Sequence, residues 1–324
     1  MSNALTETAV LSAVVDDGPR AGGPRPAPAP CANCGEPRAG RYCAECGQRE
    51  MGGRLTLRRL WGEFASRVFN LNRGLLHTVA SLARSPGSVP RDYVEGRRRT
   101  YTNPLSFLLL AATLSVLVVS LHLDTIIDAN AEMMGSSLRE QQAARDAEHA
   151  GHDHGKSDFL LAFERVQGED GRGLMALVYE SITRFSTQLL FLLALFLVAP
   201  LRILFGPVRN VAEVSVFSLY VVGLCVALGA VLMLSYPLIV PYGQAGMFAL
   251  AGLSLAAYAG LTGWGATVFF ESGWSAAARG VAAMLVAYAG YYVAVMAVAM
   301  VYVFGVVLDE AGMGWGELLH RLVT

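Results

Sequence analysis

Five long apolar segments constrain the fold of this chain more than any other feature. They run over residues 104–121, 187–205, 214–239, 246–270 and 280–308. An α-helix rises about 1.5 Å per residue, so each segment can cross a hydrocarbon core of about 30 Å. Composition agrees, because 54% of the 324 residues are hydrophobic and only 16% are charged, against roughly a quarter charged in soluble domains. The sequence therefore predicts an all-α polytopic membrane protein with about five transmembrane helices.

The distribution of charge predicts how these segments are oriented. Thirteen Arg and no Lys lie between Arg38 and Arg99, whereas residues 124–184 carry twelve Asp plus Glu against six Lys plus Arg. Arg and Lys are enriched on the cytoplasmic side of membrane proteins. We therefore expect a multi-pass protein of the bacterial inner membrane, with a cytoplasmic N-terminus, an outer loop over 124–184 and an extracytoplasmic C-terminus. Arg202 and Arg209 in the following connection fit this orientation.

Four cysteines form two copies of one CxxCG unit, Cys31 with Cys34 and Cys43 with Cys46. Two thiolates at this spacing can occupy adjacent positions around a tetrahedral ion, and the following glycine accepts a positive φ. A closed four-thiolate site supports folding and leaves no position for a substrate. We predict a ribbon over residues 31–50 that binds structural Zn²⁺. Fe²⁺ in the same ligands and a redox dithiol pair are the alternatives.

The remaining segments have simpler patterns. Residues 1–30 predict a disordered tail and residues 309–324 a short C-terminal tail, on either side of a membrane domain over 104–308. In residues 54–103, apolar side chains recur every three or four positions among arginines, which predicts basic amphipathic helices. Such helices lie on an anionic membrane surface or pack against the protein's own spans, and the pattern allows both.

The end of this segment holds a candidate site for lipid headgroups or a protein partner. Its residues are Tyr93, Arg97, Arg98, Arg99 and Tyr101. Arginines bind lipid phosphates, and tyrosines suit the membrane interface. Pro104 then begins the first span, at a helix position that tolerates proline.

The cysteine units and this juxtamembrane motif resemble family 3667 of the domains of unknown function. The other residues that carry the resemblance are Tyr42, Gln48, Pro86, Gly87, Tyr93, Gly96, Arg97, Arg98, Tyr101, Asn103 and Pro104. The resemblance implies a four-cysteine ribbon joined to a multi-span membrane region, and it implies no activity. A cytoplasmic N-terminal region ahead of about five spans is also loosely similar to Yip-type membrane proteins.

The sequence predicts a protein that is not an enzyme. It has no GxSxG, HExxH, Walker or dinucleotide fingerprint in a supporting context, and the centres of the spans have almost no ionisable side chains. We expect the ribbon to dock a cytoplasmic protein partner or to regulate the membrane domain. The alternative is a transporter, channel or lipid-handling protein with an accessory ribbon. The residues that would line its cavity are Tyr288, Tyr291, Tyr292 and Tyr302.

Three weaker patterns each have two interpretations. The outer-loop residues His149, His152 and His154 predict a solvated turn, or a second metal site. The basic residues around the ribbon are explained by membrane topology, with nucleic-acid binding unlikely; they are Arg38, Arg41, Arg49, Arg54, Arg58 and Arg59, with Tyr42 and Trp61 for stacking. Small residues four apart predict close helix packing within the chain, or a homo-oligomer. They are Gly252, Ala256 and Gly260; Gly223 and Ala227; and Gly290 and Ala294.

Overall fold

The structure is a computed structural model that describes residues 30–38, 40–49, 55–58, 60, 74–132, 135, 158–168, 172–270 and 273–314. The chain divides into two compact units, Met1–Glu50 and Met51–Thr324. The first contains the cysteines of the predicted ribbon, and the second contains the helices. Residues 1–29 of the predicted N-terminal tail and 315–324 of the predicted C-terminal tail lie outside the described residues, as do His149, His152 and His154. The C-terminal tail was predicted from residue 309, but the last helix continues to Glu310.

The described helices of the second unit are given in chain order. Their bounds are α1 Leu75–Arg84, α2 Ser88–Glu95, α3 Pro104–Leu121, α4 Asp158–Gln167, α5 Arg172–Phe205, α6 Val211–Met233, α7 Tyr236–Ile239, α8 Gly243–Phe269 and α9 Gly273–Glu310. Residues 123–132 are also helical. Two 3₁₀ turns, Gly206–Val208 and Val240–Tyr242, precede α6 and α8.

Five of these segments are long and apolar enough to cross a membrane. They are Pro104–Leu121, Gln188–Val208, Val211–Met233, Tyr236–Phe269 and Gly273–Glu310. This confirms the predicted fold class, an all-α membrane protein with five spans and a small four-cysteine unit.

The predicted span limits were less accurate than their number. The third span was predicted to continue to residue 239, but α6 ends at Met233 and Pro237 lies in the first turn of α7. Proline lacks the N–H that a continuous helix would need there. α5 has 34 residues and α9 has 38, lengths of about 51 and 57 Å at 1.5 Å per residue. Both helices therefore continue beyond the apolar stretch that hydropathy detects.

The starts of α3, α6 and α9 and the ends of α5 and α8 form one end of the helix bundle, here called the basic end. Phe205 at the end of α5 stacks on Phe270 after α8, with ring centroids 4.0 Å apart. Phe269 also stacks on Phe217 of α6 at 4.9 Å. The arginines at this end are Arg97, Arg98, Arg99, Arg202, Arg209 and Arg279.

The opposite end is built from the extensions of α5 and α9 together with α4. Ala162 of α4 is buried against Val303 and Val307 of α9. Arg165 pairs with Glu310 at 3.5 Å and Arg172 pairs with Asp128 at 3.1 Å. The predicted outer loop therefore contains α4 and the first turns of α5, packed on the end of the last span.

Glycines at two places allow membrane helices to approach closely. A Cβ on Gly280 of α9 would lie 2.9 Å from the Cα of Gly263 and the carbonyl oxygen of Thr262, both in α8. A Cβ on Gly223 of α6 would lie 2.7 Å from the Phe107 ring of α3. The structure thus agrees with intramolecular packing at Gly223.

The same interpretation is wrong for the stripe on α8. Gly252, Ala256 and Gly260 are exposed, and among the described residues no atom outside the helix lies within 4 Å of a Cβ built on either glycine. Of the α8 residues, those buried lie between Ala259 and Phe269. The spacing of small residues identified a helix face, but only the neighbouring helices decided which face is covered.

The segment ahead of the first span packs on the protein's own helices where the structure describes it. Leu55 and Leu60 are buried in the main core, and the side-chain amide of Asn210 donates to the Leu55 carbonyl at 3.2 Å. A Cβ on Gly87 would lie 2.2 Å from the carbonyl oxygen of Gly265 in α8. Leu55, Leu60 and α2 are therefore part of the helix bundle.

Candidate metal centre and juxtamembrane site

The four cysteines of the first unit converge on one point. Their sulfur atoms all lie within 4.8 Å of one another. The Sγ atoms of Cys31 and Cys46 are 3.6 Å apart, as are those of Cys34 and Cys43. These separations exceed a disulfide bond of about 2.05 Å. The structure therefore brings the predicted ligands together as free thiols.

Each CxxCG unit forms the same tight turn. The amide of Gly35 donates to the Cys31 carbonyl at 2.8 Å, and the amide of Gly47 donates to the Cys43 carbonyl at 2.9 Å. Gly35 has φ of 82° and Gly47 has φ of 67°, a conformation that a side chain would strain. The glycines thus direct both thiols of each turn to the same side.

The donor set fits one tetrahedral metal ion. A metal–sulfur bond of about 2.3 Å at tetrahedral angles places the sulfurs about 3.8 Å apart, close to the observed separations. Four thiolates complete such a coordination shell, so water and substrate are excluded from it. The four cysteines are therefore placed to bind one metal ion.

The thiols differ in how readily they ionise. Backbone N–H groups of Cys34 and Asn33 lower the pKa of Cys31 to about 6, and the Cys46 N–H lowers the pKa of Cys43. The Cys34 pKa is raised to about 12, because burial and the neighbouring sulfurs outweigh a backbone bond from Glu36. A bound cation would offset the repulsion between the Cys34 thiolate and the neighbouring sulfurs. Metal binding and ionisation of Cys34 are therefore coupled.

In the second unit, two residues of the candidate headgroup site are buried. Tyr93 has 0% and Arg98 has 4% of its surface exposed. The Arg98 Nε donates to the Tyr93 carbonyl at 3.0 Å, and its guanidinium lies 5.4 Å from the centre of the Tyr93 ring. The prediction that these two side chains contact lipid or a partner is therefore corrected. The two side chains instead contact each other inside the protein.

This buried pair anchors the start of the first span. The Tyr93 ring meets the Tyr220 ring of α6 edge to face at 5.8 Å, and the Tyr220 hydroxyl donates to the Thr102 carbonyl. Asn103 caps α3 by accepting from the Leu105 amide at 3.0 Å. The sequence analysis did not predict this role of Tyr220. The available signal was a tyrosine hydroxyl within an apolar span, which needs a hydrogen-bond partner.

The other three residues of the candidate site remain accessible. Arg97 and Arg99 are exposed and Tyr101 is half-buried. Tyr101 donates to Asp92 Oδ2 at 2.8 Å, and Arg97 lies 3.6 Å from the same carboxylate. Burial and this carboxylate raise the pKa of Tyr101 to about 12. The structure brings Arg97 and Tyr101 together at Asp92, and Arg99 is exposed nearby in the sequence.

The tyrosines of the last span have different neighbours. Tyr288 and Tyr291 pack together with Tyr258 of α8. Tyr302 instead donates to Glu180 of α5 at 2.9 Å, and Tyr292 is exposed. Around the cysteines, Arg41, Tyr42 and Arg49 are exposed, whereas Arg54, Arg59 and Trp61 lie outside the described residues.

Comparison with known proteins identifies one region of the chain. Residues 72–116 match a family described as "Protein of unknown function (DUF3667)", and they span α1, α2, the buried Tyr93–Arg98 pair and most of α3. No curated protein and no solved structure matches the chain. The cysteines lie outside the matched residues. The juxtamembrane motif and first span are thus similar to this family of unknown function.

Proposed function

We propose that this protein is a non-enzymatic protein of the bacterial inner membrane whose cytoplasmic zinc ribbon docks a protein partner or regulates the membrane unit. The observation that carries the proposal is the closed cluster of four sulfurs within 4.8 Å, in a compact unit of its own. A saturated metal centre stabilises a surface and offers no place for catalysis.

The charge of the two bundle ends supports the orientation. The basic end holds at least six described arginines, whereas at the opposite end Arg165 and Arg172 are each paired with a carboxylate, of Glu310 and Asp128. Because basic residues are retained in the cytoplasm, the N-terminal unit is cytoplasmic and the C-terminus is extracytoplasmic in this proposal. Arg97, Arg99 and Tyr101 then contact anionic headgroups of the inner leaflet.

The docking role is tested by capturing partners from membranes with the full-length protein. Zinc content and crosslinked partners are compared between the wild type and a variant with Ser at all four cysteines. We expect about one zinc per chain in the wild type, and loss of zinc and of specific partners in the variant. Partners that are retained by the zinc-free variant would contradict docking by the ribbon.

A lipid-handling function is the second candidate, supported by an apolar groove of about 490 Å³ at the opposite end of the bundle. Its lining residues are Leu232, Ser235, Ile239, Tyr242, Ala245, Gly246, Ala249, Leu250 and Leu253. Leu253 lies ten residues into α8, about 15 Å along the helix, so the groove extends towards the middle of the membrane. Its apolar lining suits an acyl chain better than an ion.

This second function is tested by filling the groove. We expect Ala249→Trp to reduce lipid exchange between vesicles that contain the purified protein. Ala256→Trp, on an exposed part of the same helix, is the matched control and should leave exchange unchanged. Equal rates with and without protein would exclude this function.

A further inference from the structure

Two arginines, Arg209 and Arg279, lie over rings of one aromatic cluster at the basic end, and a third, Arg202, holds the turn that carries Arg209. Arg202 lies near the end of α5, Arg209 precedes α6, and Arg279 lies in the second turn of α9. The guanidinium of Arg279 lies 5.9 Å from the centre of the Phe205 ring. The guanidinium of Arg209 lies 5.1 Å from the centre of the Phe269 ring. The aromatic cluster thus carries positive charge from separate helices.

The three side chains have different structural roles. Arg202 Nη1 donates to the carbonyls of Gly206 and Arg209, both at 2.7 Å, and so fixes the turn that carries Arg209. Arg209 makes one long bond of 3.5 Å to the Phe269 carbonyl, and Arg279 is exposed. A guanidinium has five N–H donors. Arg209 and Arg279 therefore keep donors for an acceptor from outside the protein.

These charges are not balanced by carboxylates in the part of the chain that the structure describes. The ion pairs there join Arg91 to Glu95, Arg97 to Asp92, Arg165 to Glu310 and Arg172 to Asp128. Glu213, the carboxylate next along α6, is buried and caps the helix with Asn210. Glu271 lies outside the described residues. The arginine cluster consequently has a surplus of positive charge among its described neighbours.

The surroundings of the cluster are those of a membrane interface. Trp274, at the start of α9, is 92% exposed, and tryptophan is enriched at the level of lipid headgroups. Ile203 and Val208 present exposed apolar side chains between Arg202 and Arg209. A molecule that meets this surface thus encounters guanidinium groups and apolar side chains together, as an anionic phospholipid would require.

We propose that Arg209 and Arg279 bind the phosphate of an anionic glycerophospholipid, with Arg202 as the residue that positions Arg209. The acyl chains lie along the apolar surface beside Ile203. Basic pockets between transmembrane helices are known to suit such headgroups. This site is distinct from Arg97, Arg99 and Tyr101, and it does not depend on the proposed role of the metal unit.

The experiment is a lipid titration of the full-length protein in detergent, followed by native mass spectrometry with phosphatidylglycerol or phosphatidylcholine. We expect phosphatidylglycerol to bind with a preference that survives an excess of inorganic phosphate. Arg209→Gln with Arg279→Gln should weaken this binding about thirtyfold, as loss of two basic contacts implies. Arg279→Gln alone should weaken it about fivefold, and because this side chain is exposed, folding should be unaffected.

Arg165→Gln with Arg172→Gln is the matched control, because it removes the same charge at the opposite end and should leave phosphatidylglycerol binding unchanged. Three outcomes would overturn the proposal. They are equal binding of both lipids, displacement of the lipid by inorganic phosphate, and a control that loses as much affinity as the Arg209 and Arg279 variant. A size-exclusion profile and unfolding temperature without lipid confirm that each variant is folded.

Discussion

In the cysteine unit, residues a few positions apart create the structure, whereas in the membrane unit the decisive contacts join residues that are far apart in sequence. Cys31 and Cys34 share one turn closed by the Gly35 amide. Thr102 and Tyr220, by contrast, meet across 118 positions. The structure of the first unit therefore depends on cysteines whose spacing can be recognised in the sequence. The structure of the second unit depends on which faces of distant helices pack together.

Replacing the four cysteines should have the largest effect, and this effect should be confined to the cysteine unit. With Ser at Cys31, Cys34, Cys43 and Cys46, binding energy on the order of 10 kcal/mol is lost, because metal binding supplies the folding energy of such small sites. We expect no bound metal by elemental analysis. The unfolding temperature of the membrane unit, followed by helical circular dichroism, should stay within a few degrees of the wild type. A large decrease there would show that the two units depend on one another.

Gly280→Leu should have the next largest effect, in the membrane unit. The new side chain would meet the backbone of α8, and overpacking of this kind costs roughly 3 kcal/mol. Gly252→Leu is the matched control, because a Cβ there meets open space. Thermal unfolding in detergent checks both, and equal destabilisation would contradict the helix crossing. If Gly252→Leu instead converted an oligomer to a monomer in light scattering, it would support self-association through α8.

Arg98→Gln should destabilise the membrane unit by roughly 2 kcal/mol, since it removes a charged donor from a buried carbonyl. Arg97→Gln, one position earlier and exposed, should cost less than about 1 kcal/mol. Denaturant unfolding distinguishes them. Similar values for both would mean that Arg98 is not the anchor of the motif.

Metal affinity should fall as the pH falls. Cys34, whose pKa is raised to about 12, must release its proton on metal binding, so affinity decreases about tenfold for each pH unit from this group alone. The decrease should steepen below about pH 6, where Cys31 is also protonated in the free site. Competition with a metal chelator at several pH values measures the slope. A flat profile would contradict thiolate coordination.

Tyr101→Phe should have the smallest effect. It removes the hydrogen bond to Asp92 from a half-buried position, at a cost of about 1 kcal/mol. Denaturant unfolding of both variants under the same conditions compares their losses in the free energy of unfolding. If Tyr101→Phe lowered the free energy of unfolding more than Arg98→Gln, the hydrogen bond to Asp92 would hold this segment more strongly than the buried Tyr93–Arg98 pair does.

The sequence alone determined the features that depend on local chemistry. Five apolar runs predicted the number of spans, because lipid requires long apolar helices. The CxxCG spacing predicted the convergence of Cys31, Cys34, Cys43 and Cys46, because each turn is closed by its own backbone and glycine. Pro104 likewise predicted where α3 begins, since proline is tolerated in the first turn of a helix.

Only the tertiary structure decided which side chains the helices cover. In sequence, Arg98 cannot be distinguished from Arg97 and Arg99, yet Arg98 is buried against Tyr93 because α6 supplies Tyr220 beside it. The α8 stripe was predicted to pack inside the chain, but Gly263 and Gly280 form the crossing and Gly252 remains outside. Side-chain spacing defines a helix face, while burial depends on the partner that reaches it, and that partner is distant in sequence.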